Sequence, residues 1–204
     1  MLSAEAIVNT QDHYTHAWHH ESKESSTSDF IDDAAAWTQC IVRHHRANFD
    51  LWHIEDEART PGATDADLAS VKRRIDRTNQ LRNDLAEQLD RALLDHLAPQ
   101  ALPSQTAPLH SESPGLIIDR LSILSLKIYH TREEAERVDA PRGHTERNQG
   151  RLAILEEQRA DLAGCLDALW QETLAGTRRF KLYRQLKMYN DPTLNPAIYR
   201  QEPK

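Results

Sequence analysis

Apolar residues recur along this chain every three or four positions, in runs far longer than strands, and polar loops interrupt them at a few places. The first run, 3–20, opens at Ser3, a good N-cap, and ends in the polar stretch HHESKESSTS. The second, 29–59, places Ile31, Ala34, Thr38, Ile41, His45, Phe49, Trp52 and Asp56 on one stripe, and Thr60, Pro61 and Gly62 stop it. The third opens at Thr64, with Asp67 three residues on in the manner of a capping box, and runs to about Leu97. Its stripe is Leu68, Val71, Ile75, Thr78, Arg82, Leu85, Leu89 and Leu93.

A Pro- and Ser-rich linker follows near 98–112. A fourth helix opens at Ser113 with Pro114 in its first position, where a missing N–H costs nothing, and runs to about Val138. It is apolar nearly all round, so it belongs at the centre. A fifth spans about 145–175 and ends at Gly176. The segment 177–204 mixes basic and aromatic residues and reads as a short helix followed by a turn at Asn190-Asp191-Pro192. No period-two pattern persists. The expectation is therefore an all-α chain: one domain over 1–204, an antiparallel bundle of about five or six helices built from two long hairpins.

Composition sharpens this picture only a little. The chain has 204 residues, 39% of them hydrophobic, and carries a net charge of -7. An acidic balance argues against a duplex nucleic-acid partner, which asks for a basic face. Cys40 and Cys165 stand far apart and read as small buried hydrophobes rather than a disulfide framework. No signal peptide and no membrane span is visible, which makes the cytoplasm the expected address.

Polar residues break the helix patterns in four places, and such breaks are where function tends to concentrate. The first is NFDLWHIEDEAR, 48–59, where Asp56 lies on the stripe with Asn48 and Glu55 beside it and His53 adjacent. A buried carboxylate there needs a partner, a metal or a proton. The second is RTNQLRND, 77–84, where Arg82 breaks the stripe among Asn79 and Asn83 and could pair with Asp56 or Glu55 across the hairpin. The third is the central helix, with Asp119, Lys127 and His130 on one line; it is either a satisfied network or a cavity wall, and its N-terminus offers free N–H groups to an anion. The fourth is the basic set Arg178, Arg179, Lys181, Arg184 and Lys187, a candidate anion site or a solvated face.

Eleven histidines invite a metal reading, but adjacent pairs such as His19-His20 and His44-His45 point about 100° apart on a helix. No HExxH, CxxC, calcium-loop, Gly-rich phosphate-loop or nucleophile-elbow motif occurs. No zinc site and no cofactor is expected, and only Glu55 and Asp56 suggest a weak metal pair.

The segments NFDLWHIEDEAR, VKRRIDRTNQLRNDLAEQLD, SPGLIIDRLSILSLKIYHTREEAER and RRFKLYRQLKMYNDPTLNP strongly resemble the bacterial family called domain of unknown function 4254, over about residues 5–200. The resemblance implies a helical, cytoplasmic bacterial protein whose relatives are often encoded near glycosyltransferases of envelope polysaccharide synthesis. The motif positions include Asn48, Trp52, His53, Asp56, Asp76, Asn79, Asn83, Asp119, Arg120, Lys127, Arg179, Tyr183 and Asn190.

Three readings compete. The chain could be a binding or accessory protein of surface-glycan synthesis, recognising a sugar nucleotide, another phosphorylated small molecule or a glycosyltransferase partner. It could be a Mg-dependent all-α nucleotide pyrophosphohydrolase, with Glu55, Asp56, Asp76, Asp84, Glu87 and Asp90 as the acids, although only Glu87-x-x-Asp90 fits the ExxE/ExxD pattern of that superfamily. It could be a structural or oligomerising helical protein; a homodimer is compatible with the pattern but not derivable from it. Under the first two, Asn48, His53, Glu55, Asp56, Asn79, Arg82, Asn83, Asp119, Lys127 and His130 form the candidate polar site.

Overall fold

The capping signals set the helix boundaries. The computed structural model describes residues 2–20, 36–186, 193–196 and 200. Among these, five α-helices form: α1 (Ala4–His20), α2 (Ala36–Glu57), α3 (Asp65–Leu97), α4 (Pro114–Glu136) and α5 (His144–Leu174), with a 3-10 turn at Ala98–Gln100. Residues 29–35 of the expected second helix, Ile31 and Ala34 included, lie outside the described residues. Thr64 N-caps α3 in a complete capping box with Asp67. Ser113 caps α4 by accepting from the Leu116 N–H, with Pro114 in the first turn. Gly176, at φ 72°, takes the left-handed position that follows α5.

The fold is all-α, and the two expected hairpins are present: α2 pairs with α3, and α4 with α5. Helix α4 packs against all four others, which is why its polar residues reach so many surroundings. Leu89, Leu93 and Leu97 of α3, Ile117, Ile118 and Leu121 of α4, and Leu166, Leu169 and Trp170 of α5 form the main core with Ile7 and Ile41. Each fully buried Leu or Ile contributes about 2 kcal/mol. Polar bonds fix the relative placement: Arg159 of α5 grips both Asp12 oxygens of α1 at 2.8 and 2.7 Å. Asp167 accepts from the Ala4 N–H at 2.9 Å. No helix among the described residues is long and apolar enough to cross a membrane.

The segment after α5 departs from expectation. Residues 177–186 are not helical. Phe180 is buried in the core, and the backbone of Arg179 pairs with the linker: its N–H donates to Pro108 O and its carbonyl accepts from the His110 N–H. Docking on an extended linker edge satisfies the backbone that a helix would have satisfied internally. Lys187 and the Asn190-Asp191-Pro192 turn lie outside the described residues. Cys165 also departs from expectation, since it is exposed in the groove between α4 and α5, while Cys40 is half-buried.

Candidate functional site

Helices α2 and α4 bring two histidines and a carboxylate into the interior. His44 and His45 are both fully buried. His45 sits between two hydroxyls, Thr15 Oγ at 2.8 Å and Ser122 Oγ at 2.7 Å, one from α1 and one from α4. A neutral imidazole satisfies both, donating to one and accepting from the other. Burial, and behind it the neighbouring His44, push its pKa down to about 3.

His44 bonds the second element of the network, Asp119. Asp119 Oδ1 accepts from His44 Nε2 at 3.0 Å and from Asn48 Nδ2 at 3.0 Å, and Arg82 Nε lies 3.5 Å away. Burial alone would raise this carboxyl. The His44 hydrogen bond, the charges of His44 and Arg82, and the Asn48 bond outweigh it and hold Asp119 below the usual carboxylate range. Arg82 Nε is nonetheless buried without a hydrogen-bond partner, and so is His44 Nδ1. The guanidinium is therefore drawn to Asp119 but not consumed by it.

Above this network lies a cleft of about 380 Å³, lined by Asn48, Leu51, Trp52, Glu55, Asp56, Arg59, Arg82, Ile123 and Leu126. That volume suits a small ligand, and the lining combines apolar walls with a few polar groups, as ligand sites do. A larger groove of about 750 Å³ runs between α4 and α5. Its chief charged pair, Arg120 and Glu112, is closed on itself at 2.8 and 3.1 Å, whereas the smaller cleft carries Arg82 beside the Asp119 network. The smaller cleft is the better candidate for that reason.

The structure sorts the expected site residues. Asn48 and Arg82 line the cleft and converge on Asp119 beneath it. Glu55 and Asp56 line it, but Asp56 is 61% exposed, so it does not face a core. From Glu55 to Arg82 Val71 is the one buried residue, because the α2–α3 hairpin tip has little besides itself to pack against. Arg82 pairs with Asp119 rather than with Asp56 or Glu55; Arg59 approaches those two carboxylates at 4.0 and 3.6 Å. Asn83 is buried with its Nδ2 unpartnered, and Asn79 is half-buried. Lys127 is exposed and belongs to the α4–α5 groove, away from the cleft. His53 and His130 are half-buried and share a cluster of rings with His19.

The basic set does not form one helical face. Arg178 pairs with Glu172 at 2.9 Å, and Arg179 Nε donates to Ala107 O at 2.8 Å, so both are tied to the fold. Lys181 and Arg184 are exposed. The free N–H groups of α4 are met by the chain's own acid: Asp90 accepts from the Gly115 N–H at 2.6 Å and from the Ser113 hydroxyl. Burial pushes Asp90 up to about 6.

The acids of the pyrophosphohydrolase reading are likewise dispersed. Asp76 pairs with Lys72, Asp84 accepts from Gln80 at 2.8 Å, and Glu87 accepts from the Gln185 N–H at 2.9 Å. Among the described residues no cluster of three carboxylates forms. His44 escaped the sequence reading, although it lies one turn before Asn48 on the same face, and that spacing was the available signal.

No curated protein and no solved structure shows significant similarity to the chain. The family model described as "Protein of unknown function (DUF4254)" matches residues 38–182, from the start of the histidine-bearing face of α2 to the docked segment after α5. The match takes in the whole cleft and the network beneath it, and the chain belongs to this family.

Proposed function

We propose that the protein binds a phosphorylated sugar, as a phosphosugar or as the sugar phosphate of a sugar nucleotide, in the cleft between α2, α3 and α4. The observation that carries this reading is Arg82: a cation lining the cleft whose ion pair with Asp119, 3.5 Å from Nε, is not closed by a hydrogen bond. A phosphate oxygen would meet the donor fork that Asp119 leaves unfilled. Trp52 offers an aromatic wall to the apolar face of a sugar ring, and Glu55 and Asp56 offer carboxylates to its hydroxyls. The resemblance that places related proteins beside glycosyltransferases supports the same class of ligand and an accessory role in cytoplasmic steps of bacterial surface-glycan synthesis.

A thermal-shift panel of phosphosugars, sugar nucleotides, nucleotides and unphosphorylated sugars tests it. A ligand at about a hundred times its Kd adds ~2.7 kcal/mol, a rise of a few degrees for a chain of this size. Phosphorylated sugars should raise the melting temperature and the parent sugars should not. A flat panel, or a response to nucleotides irrespective of the sugar, contradicts the proposal.

A further inference from the structure

Beside the cleft, three helices bring three histidines together: His19 from the last turn of α1, His53 from α2 and His130 from α4. One ring nitrogen of each lies within 4.8 Å of the others. Hydrogen bonds decide which nitrogens are available. His19 Nδ1 lies 2.6 Å from Thr15 O, and a carbonyl only accepts, so Nδ1 carries the proton. His130 Nδ1 lies 3.0 Å from Glu133 Oε2, again an acceptor. Both rings are thereby left with a lone pair on Nε2, and both Nε2 atoms are buried without a hydrogen-bond partner.

Two buried, unpartnered lone pairs on neighbouring rings are costly unless something accepts them. A cation accepting three neutral imidazoles satisfies all three. A backbone carbonyl and a carboxylate on the far ring nitrogens are the outer partners that orient metal-bound histidines and raise their basicity. The surroundings are ring walls: Tyr129 stacks on His19 at 4.2 Å, Trp52 on His130 at 4.9 Å, and Phe49 lies edge-on to His53 at 4.5 Å. Such walls limit water and strengthen coordination.

We infer that His19, His53 and His130 form a binding site for one divalent transition-metal ion, with zinc the best match. Three imidazole ligands suit zinc, copper, nickel and iron, and exclude magnesium and calcium, which take oxygen. Zn–N bonds of about 2.05 Å hold tetrahedral ligands ~3.3 Å apart, so nitrogens that lie within 4.8 Å of one another close by at most about 1.5 Å on binding. Three protein ligands leave a fourth position for water or an added ligand. Trp52 both stacks on His130 and lines the cleft, so the metal site and the cleft share a wall.

The test is a metal titration of the untagged full-length chain, stripped with a chelator. Zn²⁺ is added in competition with a chromophoric chelator. The expected result is one equivalent bound with a Kd below micromolar. His53→Asn and His130→Asn, checked for folding by circular dichroism, should each lose at least tenfold in affinity, while His13→Ala on the exposed face of α1 changes nothing. Glu133→Gln leaves all three ligands and should weaken binding by on the order of tenfold. Co²⁺ in the unaltered chain should give the intense visible bands of a tetrahedral ion, a readout independent of how the variants fold. Absence of a one-equivalent phase, binding indifferent to His53 and His130, or a weak octahedral cobalt spectrum overturns the inference.

Discussion

His45 and Asp90 are buried titratable groups whose environments push them in directions that oppose each other in stability. His45 stays neutral in the fold down to about pH 3, whereas the unfolded chain takes up its proton near 6.5. Between those values the unfolded state binds more protons, so His45 makes stability fall as pH falls, by up to ~1.4 kcal/mol per pH unit. Asp90 keeps its proton in the fold to about pH 6, whereas the unfolded chain releases it near 3.8. Across that window the folded state binds more protons, so Asp90 makes stability fall as pH rises, with a slope of the same size. The two nearly cancel between about pH 4 and 6. Denaturant melts across this range should therefore separate the variants from the parent chain. Relative to it, His45→Gln should lose stability increasingly as pH rises, and Asp90→Asn increasingly as pH falls. Parallel pH profiles for all three chains would show that neither group is perturbed as described. Asp119, held low by His44, Arg82 and Asn48, contributes in the same sense as His45 and more acidically: its share is lost only as pH falls through its depressed pKa.

At the scale of helices, α4 is seated on α3 by one glycine and one acid. A Cβ at Gly115 would collide with the backbone oxygen of Ala86 and the carboxyl group of Asp90. The same Asp90 takes the Gly115 N–H. Gly115→Ala should destabilise by about 3 kcal/mol, because backbone cannot yield as a flexible side chain can. Gly150, inside α5, has no neighbour within 4 Å of its would-be Cβ. Gly150→Ala should instead stabilise by about 0.5–1 kcal/mol through helix propensity. Urea melts of both variants check the opposite signs, and equal effects would contradict the packing. Local chemistry of this kind is what sequence shows well. Thr64 with Asp67, Ser113 with Pro114, and Gly176 mark helix ends through contacts a few residues apart, and the structure keeps all three. Asp90 carried no such mark: its partner Ser113 is 23 residues away, and as a sequence letter it read as a member of an acidic pair with Glu87. Asp56 sat on a convincing stripe, yet periodicity reports only which side a residue shares and not whether another helix covers that side. The segment after α5 had helical spacing, and a pairing with the linker near Leu109, 70 residues earlier, overrode it.

At the scale of the whole molecule, both candidate sites are assembled from distant pieces of chain. The network beneath the cleft joins His44 to Asp119 across 75 residues, and the ring cluster joins residues of α1, α2 and α4. Sequence located Asn48, Arg82 and Asp119 because each is a polar letter in an apolar pattern. It did not single out His19, which sits in a polar, histidine-rich helix end where no pattern is broken. Membership of the DUF4254 family covers the cleft but assigns it no ligand. Under the proposed function, Arg82 is the anchor of the bound phosphate. Calorimetric titration of the strongest phosphosugar or sugar nucleotide from the panel into the parent chain and Arg82→Ala tests that most directly. One bound ligand per chain is expected, with affinity falling by on the order of 10- to 100-fold in the variant, the loss of a charge-assisted pair. Equal affinity in the two chains would mean that the ligand binds elsewhere and that the cleft is not the site.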